Sequence, residues 1–104
     1  MSAFVIAKIA SIHDPVRYEE YKRLVPATLT PFGGRFVARG GEVAVLEGDW
    51  SAQRVVIVEF PSMEKARAWW NSAAYAPARA LRQASSTGTL LIVDGLPPSA
   101  AAVR

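Results

Sequence analysis

A glycine-rich stretch from Phe32 to Gly48 constrains the fold of this chain more than any other part of the sequence. Two glycine pairs, Gly33-Gly34 and Gly40-Gly41, bracket a short alternating segment, Arg35–Arg39, which predicts a strand. The Gly40-Gly41 pair permits two interpretations. It could form a two-residue hairpin turn, or it could be a bulge that bends one long strand continuing through Val43 to Glu47. We slightly favour the bend.

Three further strands are predicted from runs of apolar residues, and they are Ala3–His13, Arg54–Phe60 and Thr89–Asp94. In the first of them, strict alternation places one set on one face, namely Phe4, Ile6, Ala10 and Ile12 together with Lys8. The opposite face then carries Val5, Ala7 and Ile9. Residues Ser85–Gly88 are predicted to form a turn before the last strand.

The helices are predicted from capping residues and from apolar residues at helical spacing. Asp14-Pro15 begins the first helix, which Pro26 should kink or end; its apolar stripe is Tyr18, Tyr21, Val25 and Leu29. Ser62 caps the second helix, whose stripe is Ala66, Trp69, Trp70 and Ala73. Ser72 is expected to cap a further short helical piece around Pro77–Gln83.

The order strand, helix, two strands, helix, strand predicts a ferredoxin-like α+β fold, with an antiparallel sheet and helices on one face. We expect one domain over residues 1–95 and a disordered tail over 96–104. The segments Val55–Val58 and Leu90–Val93 are apolar on both faces, although an antiparallel sheet with one wet face should alternate. A second copy of the sheet would cover that face, so we predict a homodimer.

Composition excludes several classes of protein. The chain has 104 residues, 51% hydrophobic and 20% charged, which predicts a folded domain. It has no cysteine and no apolar run long enough to cross a membrane, and an apolar strand begins at once where a secretory signal would lie, so we expect a cytoplasmic protein. The net charge of +3 is spread along the chain rather than clustered, so nucleic-acid binding is not expected.

Several motifs in the same order resemble the bacterial family of domain of unknown function DUF1330. They are Phe32–Gly41, Leu46–Gly48, Val56–Ser62, Ala66–Trp69, Ser72 with Tyr75, and Arg82. The resemblance spans roughly residues 3 to 95 and implies the dimeric α/β-barrel superfamily, which includes cofactor-free monooxygenases, muconolactone isomerases and haem-dependent enzymes. This chain departs from the family at Ala73 and Ala74, where members often carry Pro-Glu.

Two residues are candidates for acid–base catalysis. Glu59 ends an apolar strand, where a carboxylate needs a partner or a raised pKa. It could be a general base in a pocket between sheet and helices, or it could form an ion pair with Lys8, Arg39 or Arg82. His13 could serve as an acid or a base near neutral pH, or it could be an ordinary residue at a strand-to-helix junction.

Candidate ligand-binding residues are Arg39, Trp69, Tyr75 and Arg82. Arg39 could hold an anion with two hydrogen bonds, or it could pair with Glu47 across the glycine step. The aromatic residues could form the wall of a ligand pocket, or they could be core and dimer contacts. One histidine without cysteine gives no metal site, haem would need an axial histidine on a helix, and no nucleotide motif is present. We therefore predict no cofactor.

Two functions from different classes fit these patterns. The protein could be a cofactor-free isomerase, oxygenase or cyclase that acts on a small organic molecule. Glu59 or His13 would then move the proton, and Arg39 or Arg82 would hold the developing oxyanion. Alternatively, it could be a non-catalytic ligand-binding or accessory protein of the same fold.

Overall fold

Apolar strands pair into one antiparallel sheet in the computed structural model, which describes residues 1–97. The strands are β1 (Ala3–Ile12), β2 (Arg35–Arg39), β3 (Arg54–Phe60) and β4 (Ser86–Asp94), and their order in the sheet is β2-β3-β1-β4. The helices are α1 (Pro15–Leu29), α2 (Met63–Trp70) and α3 (Ala76–Ser85), with a 3₁₀ turn at Thr30–Phe32. This arrangement confirms the predicted ferredoxin-like α+β fold.

The predicted caps begin α1 and α2. The Asp14 carboxylate accepts a hydrogen bond from the Arg17 backbone N–H at 3.2 Å, and the Ser62 hydroxyl oxygen accepts one from the Lys65 N–H at 3.1 Å. All three helices pack on one face of the sheet. The main core there consists of Ala3, Val5, Val25, Leu29, Val58, Phe60, Ala66, Trp69, Tyr75 and Ala78.

Helix α1 continues through Pro26 to Leu29, so the expectation that its regular part ends at this proline is wrong. Proline has no N–H and therefore leaves the Lys22 carbonyl without its helical donor. The Arg39 guanidinium donates a hydrogen bond to that carbonyl at 2.7 Å. A donor from β2 thus replaces the one that the helix lacks.

Bulges in two strand pairs determine which way side chains face, and one of them corrects the predicted facing of Ile12. The pairing of β2 with β3 shifts between Phe36 and Ala38, so Arg35 lies on the outer face while Arg39 lies on the helix face. The pairing of β1 with β4 shifts between Ile9 and Ser11, and Ile12 therefore packs against the core beside Tyr18. An extra residue in one strand reverses the alternation beyond it.

Neither interpretation of Gly40-Gly41 is correct. Strand β2 ends at Arg39, and residues 41–53 form an irregular loop. Gly40 has a φ of 71° and donates its N–H to the Val55 carbonyl at 2.9 Å. A Cβ at Gly40 would collide with the Arg54 guanidinium. The glycine therefore turns the chain away and leaves space for Arg54.

The turn predicted at Ser85–Gly88 is absent from the described residues, because α3 ends at Ser85 and β4 begins at Ser86. The Ser85 carbonyl accepts the N–H groups of His13 and Asp14 at 2.9 and 3.1 Å, which ties this junction to the start of α1. Ala73 is exposed rather than part of an apolar stripe, since α2 has already ended at Trp70.

The outer face of the sheet is apolar, and Leu91 and Val93 are 49% and 45% exposed on it. Val55 lies on this face and Val56 on the helix face. Loop 41–53 reaches the outer face at Trp50, whose ring lies 4.6 Å from the Lys8 ammonium group. No helix within residues 1–97 is long and apolar enough to span a membrane. The predicted tail falls mostly on residues 98–104, outside the described residues.

Candidate functional site

The helix-facing side of β4 is incompletely covered, because Leu90 and Ile92 remain only half-buried beneath the helices. An open groove of about 350 Å³ lies between α2 and this strand. We call it the β4 groove, and its lining residues are Val5, Arg67, Trp69, Trp70, Asn71, Leu90, Leu91 and Ile92.

The Trp69 side chain that lines this groove is held rigidly. Its indole N–H donates to the Thr28 hydroxyl at 3.0 Å, and its ring lies 4.0 Å from the Tyr75 ring, centroid to centroid. The Ser72 hydroxyl donates to the Trp69 carbonyl at 2.7 Å and accepts the Tyr75 N–H at 3.1 Å. The groove wall is therefore preformed by packing and hydrogen bonds from three parts of the chain.

A second recess, also of about 350 Å³, adjoins the groove on the α3 side. We call it the Arg82 recess, and its lining residues are Trp70, Arg82, Gln83, Ser86, Thr87, Gly88 and Leu90. Trp70 and Leu90 line both spaces. The Arg82 side chain is only 6% exposed, and its Nε has no hydrogen-bond partner among the described residues.

The interior between sheet and helices is nearly filled. The remaining inner cavity measures about 30 Å³, which is room for about two water molecules. Tyr21 lines it, and the Tyr21 and Tyr75 hydroxyls share a hydrogen bond of 3.3 Å. Burial raises the pKa of Tyr21, which favours the neutral hydroxyl that takes part in this hydrogen bond.

The expectation that Glu59 could lie in a pocket between sheet and helices is wrong. Glu59 projects from the outer face of β3, where its carboxylate pairs with Arg35 and accepts a hydrogen bond from the Ser2 hydroxyl at 2.6 Å. None of the three predicted cations is its partner. The Ser2 hydrogen bond, followed by the contact with Arg35, lowers the pKa of Glu59 despite partial desolvation.

His13 and Arg39 are also outside the β4 groove. His13 is exposed at the junction between β1 and α1. Arg39 lines the inner cavity, but its guanidinium is occupied by the Lys22 carbonyl. No ion pair joins Arg39 to Glu47 in the part of the chain that is described, where the ion pairs are Arg17–Asp14, Lys22–Glu19 and Arg35–Glu59.

Of the predicted ligand-binding residues, Trp69 lines the β4 groove and Arg82 lines the adjoining recess, whereas Tyr75 is fully buried behind Trp69 and lines neither space. Glu59 and His13 line neither space either. Sequence reasoning missed Arg67, Asn71, Ser86 and Thr87 as lining residues. The polarity of Arg67, Asn71 and Thr87 is ordinary for exposed positions. Ser86, which is buried, was assigned together with Thr87 to a turn instead of a strand. Within residues 1–97, no group of three or more His, Cys, Asp or Glu side chains could hold a metal ion.

Comparison with known proteins identifies a family and a fold. The family described as Domain of unknown function (DUF1330) matches residues 2–96. A crystal structure of a protein of unknown function from Rhodopseudomonas palustris is 21% identical, with a TM-score of 0.74, and the match covers 93% of this chain and 84% of that one. No curated protein matches.

Two more distant structures share the fold. A dimeric ferredoxin-like protein of unknown function from Jannaschia sp. CCS1 is 13% identical, with a TM-score of 0.71 and coverage of 93% of this chain and 100% of that one. SnoaB, a cofactor-independent oxygenase from Streptomyces nogalater, is 18% identical, with a TM-score of 0.61 and coverage of 92% and 93%.

Proposed function

The chain belongs to the DUF1330 family, and we propose that it binds a small organic molecule in the β4 groove, between the sheet and α2. The observation that carries this proposal is an open space of about 350 Å³ with an apolar wall formed by Trp69, Trp70, Leu90 and Ile92. Ligand sites are typically concave, apolar and of this order of size. The inner cavity of about 30 Å³ is too small for such a molecule.

The rigidity of Trp69 supports the same proposal. Its indole is fixed by Thr28 and Tyr75 whether or not a ligand is present. A wall that is already ordered costs little conformational entropy when a ligand binds to it. Trp70 is only partly buried beside it, so an aromatic molecule in the groove would also gain from contact with the Trp70 ring.

Binding is supported better than acid–base catalysis. Among the described residues, the lining of the β4 groove and the Arg82 recess includes no aspartate, glutamate or histidine. Glu59 and His13 lie elsewhere, so neither could reach a ligand in the groove within one protomer. Cofactor-free isomerase, oxygenase or cyclase chemistry stays a prediction that rests on the fold, which SnoaB shares.

We also propose that the protein acts as a homodimer. The apolar outer face, with Leu91 and Val93 half-exposed, is the surface that a second sheet would cover. The ferredoxin-like protein from Jannaschia sp. CCS1 is described as dimeric. Because Leu91 also lines the β4 groove, the groove would open beside the dimer interface.

A methyl-NMR titration with naphthylacetamide, a neutral aromatic probe, tests the binding site. We expect saturable shift changes at the Leu90 and Ile92 methyl groups, which line the groove. The methyl groups of Val16, which is 80% exposed on α1, serve as the internal control and should not move. If Leu90 and Ile92 do not shift, or if Val16 shifts equally, the groove is not the ligand site.

A further inference from the structure

Arg82 is a buried cation without a counter-ion in the part of the protein that is described. Its side chain is 6% exposed, and the ion pairs between residues 1 and 97 all involve other arginines or lysines. Its Nε–H has no acceptor there. Burying a charge is unfavourable unless an opposite charge or hydrogen bonds compensate it. An anionic hydrogen-bond acceptor bound in the Arg82 recess would therefore stabilise this side chain.

The residues around Arg82 add positive charge and no carboxylate. The Arg79 guanidinium lies 5.1 Å from the Trp70 ring, and that of Arg82 lies 5.9 Å from it. Arg67 lines the neighbouring groove. The Trp70 ring stabilises nearby cations, but at these distances the effect is near its limit of about 6 Å, and an indole supplies no oxygen acceptor. No carboxylate in the described range lines either space.

The internal hydrogen bonds leave the Arg82 side chain available. The Ser85 and Ser86 hydroxyls both donate to the Arg82 backbone carbonyl, at 3.4 and 2.7 Å. They fix this turn of α3 but do not engage the guanidinium. A guanidinium presents its N–H groups as a planar fork that matches the two oxygens of a carboxylate.

We propose that the ligand of the β4 groove is a small organic acid, whose carboxylate binds Arg82 in the adjoining recess while its apolar body lies in the groove. This inference rests on the proposed function and specifies its ligand class. The two spaces meet at Trp70 and Leu90, so one molecule can occupy both. The terminal Nη–H groups of the Arg82 guanidinium would donate to the two carboxylate oxygens.

The test compares two probes of the same shape and different charge, naphthylacetate and naphthylacetamide, by isothermal titration calorimetry. A hydrogen bond to a charged group typically changes binding by about tenfold or more. We therefore expect the wild-type protein to bind naphthylacetate at least about tenfold more tightly than the amide.

Two substitutions test whether Arg82 causes the preference for naphthylacetate over the amide. Arg82→Gln should remove it while leaving the affinity for the amide nearly unchanged. Arg23→Gln is the matched control, since Arg23 is exposed on α1 and its loss lowers the net charge by the same amount. The control should keep the preference, which separates a local contact from the general attraction of a basic protein.

The outcomes distinguish this inference from the proposed function. Equal affinity of the wild type for both probes would overturn the organic-acid ligand and leave groove binding intact. Binding of neither probe would overturn the proposed function itself. If Arg82→Gln does not fold, Arg82→Lys replaces it. This variant retains the charge but loses the fork, so it should bind naphthylacetate more weakly than the wild type; unchanged affinity would overturn the role of Arg82.

Discussion

Glu59 shows how one residue can satisfy a physical expectation with an unexpected partner. A carboxylate within an apolar strand should meet a cation, and Glu59 does pair with one. The cation is Arg35, whose side chain is 70% exposed, and not a buried residue. Removing the carboxylate therefore leaves no buried charge without a partner, and we expect the loss of stability to be modest.

The pH dependence of this effect has a definite sign. The Ser2 hydrogen bond and then Arg35 lower the pKa of folded Glu59, so its contribution to stability is present above the unfolded-state pKa of about 4.3. It is lost as the pH falls through the lower, folded-state pKa. We expect Glu59→Gln to have a lower melting temperature than the wild type at neutral pH. The two melting temperatures should converge below about pH 4.

Thermal melts across this pH range check the prediction. Glu20→Gln is the control, because Glu20 is exposed on α1 and should show no such convergence. A difference that persists unchanged at low pH would mean that the carboxylate charge is not what Ser2 and Arg35 stabilise.

Among the elements, α1 depends on β2 for one of its hydrogen bonds. Pro26 leaves the Lys22 carbonyl free, and Arg39 donates to it at 2.7 Å. We expect Arg39→Met to lower the free energy of unfolding by about 1 to 2 kcal/mol. In a Pro26→Ala background the residue 26 N–H can donate instead, so the same substitution should cost less.

A double-mutant cycle by urea unfolding measures this coupling. Arg35→Met provides the control, because Arg35 lies on the other face of β2 and should be additive with Pro26→Ala. Additivity of Arg39→Met with Pro26→Ala would show that the Arg39 hydrogen bond does not compensate for the proline.

The element order and the caps of α1 and α2 could be predicted from the sequence. The Ser72 cap expected for α3 was wrong, because α3 begins after Tyr75 without a side-chain cap, and the facing of several side chains could not be predicted. Capping and periodicity are local, so Asp14 and Ser62 were identified correctly. A bulge depends on how two strands pair, and the one between Phe36 and Ala38 moved Arg39 to the helix face. These errors affect the candidate site most. The Arg82 recess is lined by residues of α3 and β4, and the predicted start of β4, Thr89, lies three residues after its observed start, Ser86.

At the scale of the whole molecule, the outer face of the sheet predicts how copies associate. We expect light scattering at micromolar concentration to give about twice the chain mass of 11.2 kDa. Leu91→Glu places a charge on the outer face and should shift the protein towards the monomer. Val16→Glu makes the same change on α1, where 80% of Val16 is exposed, and should leave the dimer intact.

A wild-type protein that is well folded and monomeric would contradict the dimer. Dissociation by Val16→Glu would instead place the interface on α1 rather than on the sheet. Of the two valines at the start of β3, Val55 is the one on the proposed interface, because it lies on the outer face while Val56 packs on the helix side.

The tail is expected to contribute little to stability. Gly95 donates its N–H to the Ser2 carbonyl at 2.7 Å, and this bond would survive removal of residues 96–104. We expect the truncated protein to melt within about 2 °C of the full chain, the range of ordinary surface changes. Calorimetry would detect a larger drop, which would indicate that the tail docks on a partner subunit.

The direct passage from α3 into β4 has a consequence for protein engineering. Ser85 is the last residue of the helix and Ser86 is the first of the strand, so there is no loop residue between them. One residue inserted here would shift the register of β4 by one and turn Leu90 and Ile92 to the outer face of the sheet. Residues 41–49 are exposed and lie outside the strands that the structure describes. A short peptide tag would therefore be tolerated there, whereas the same insertion after Ser85 would disrupt the protein.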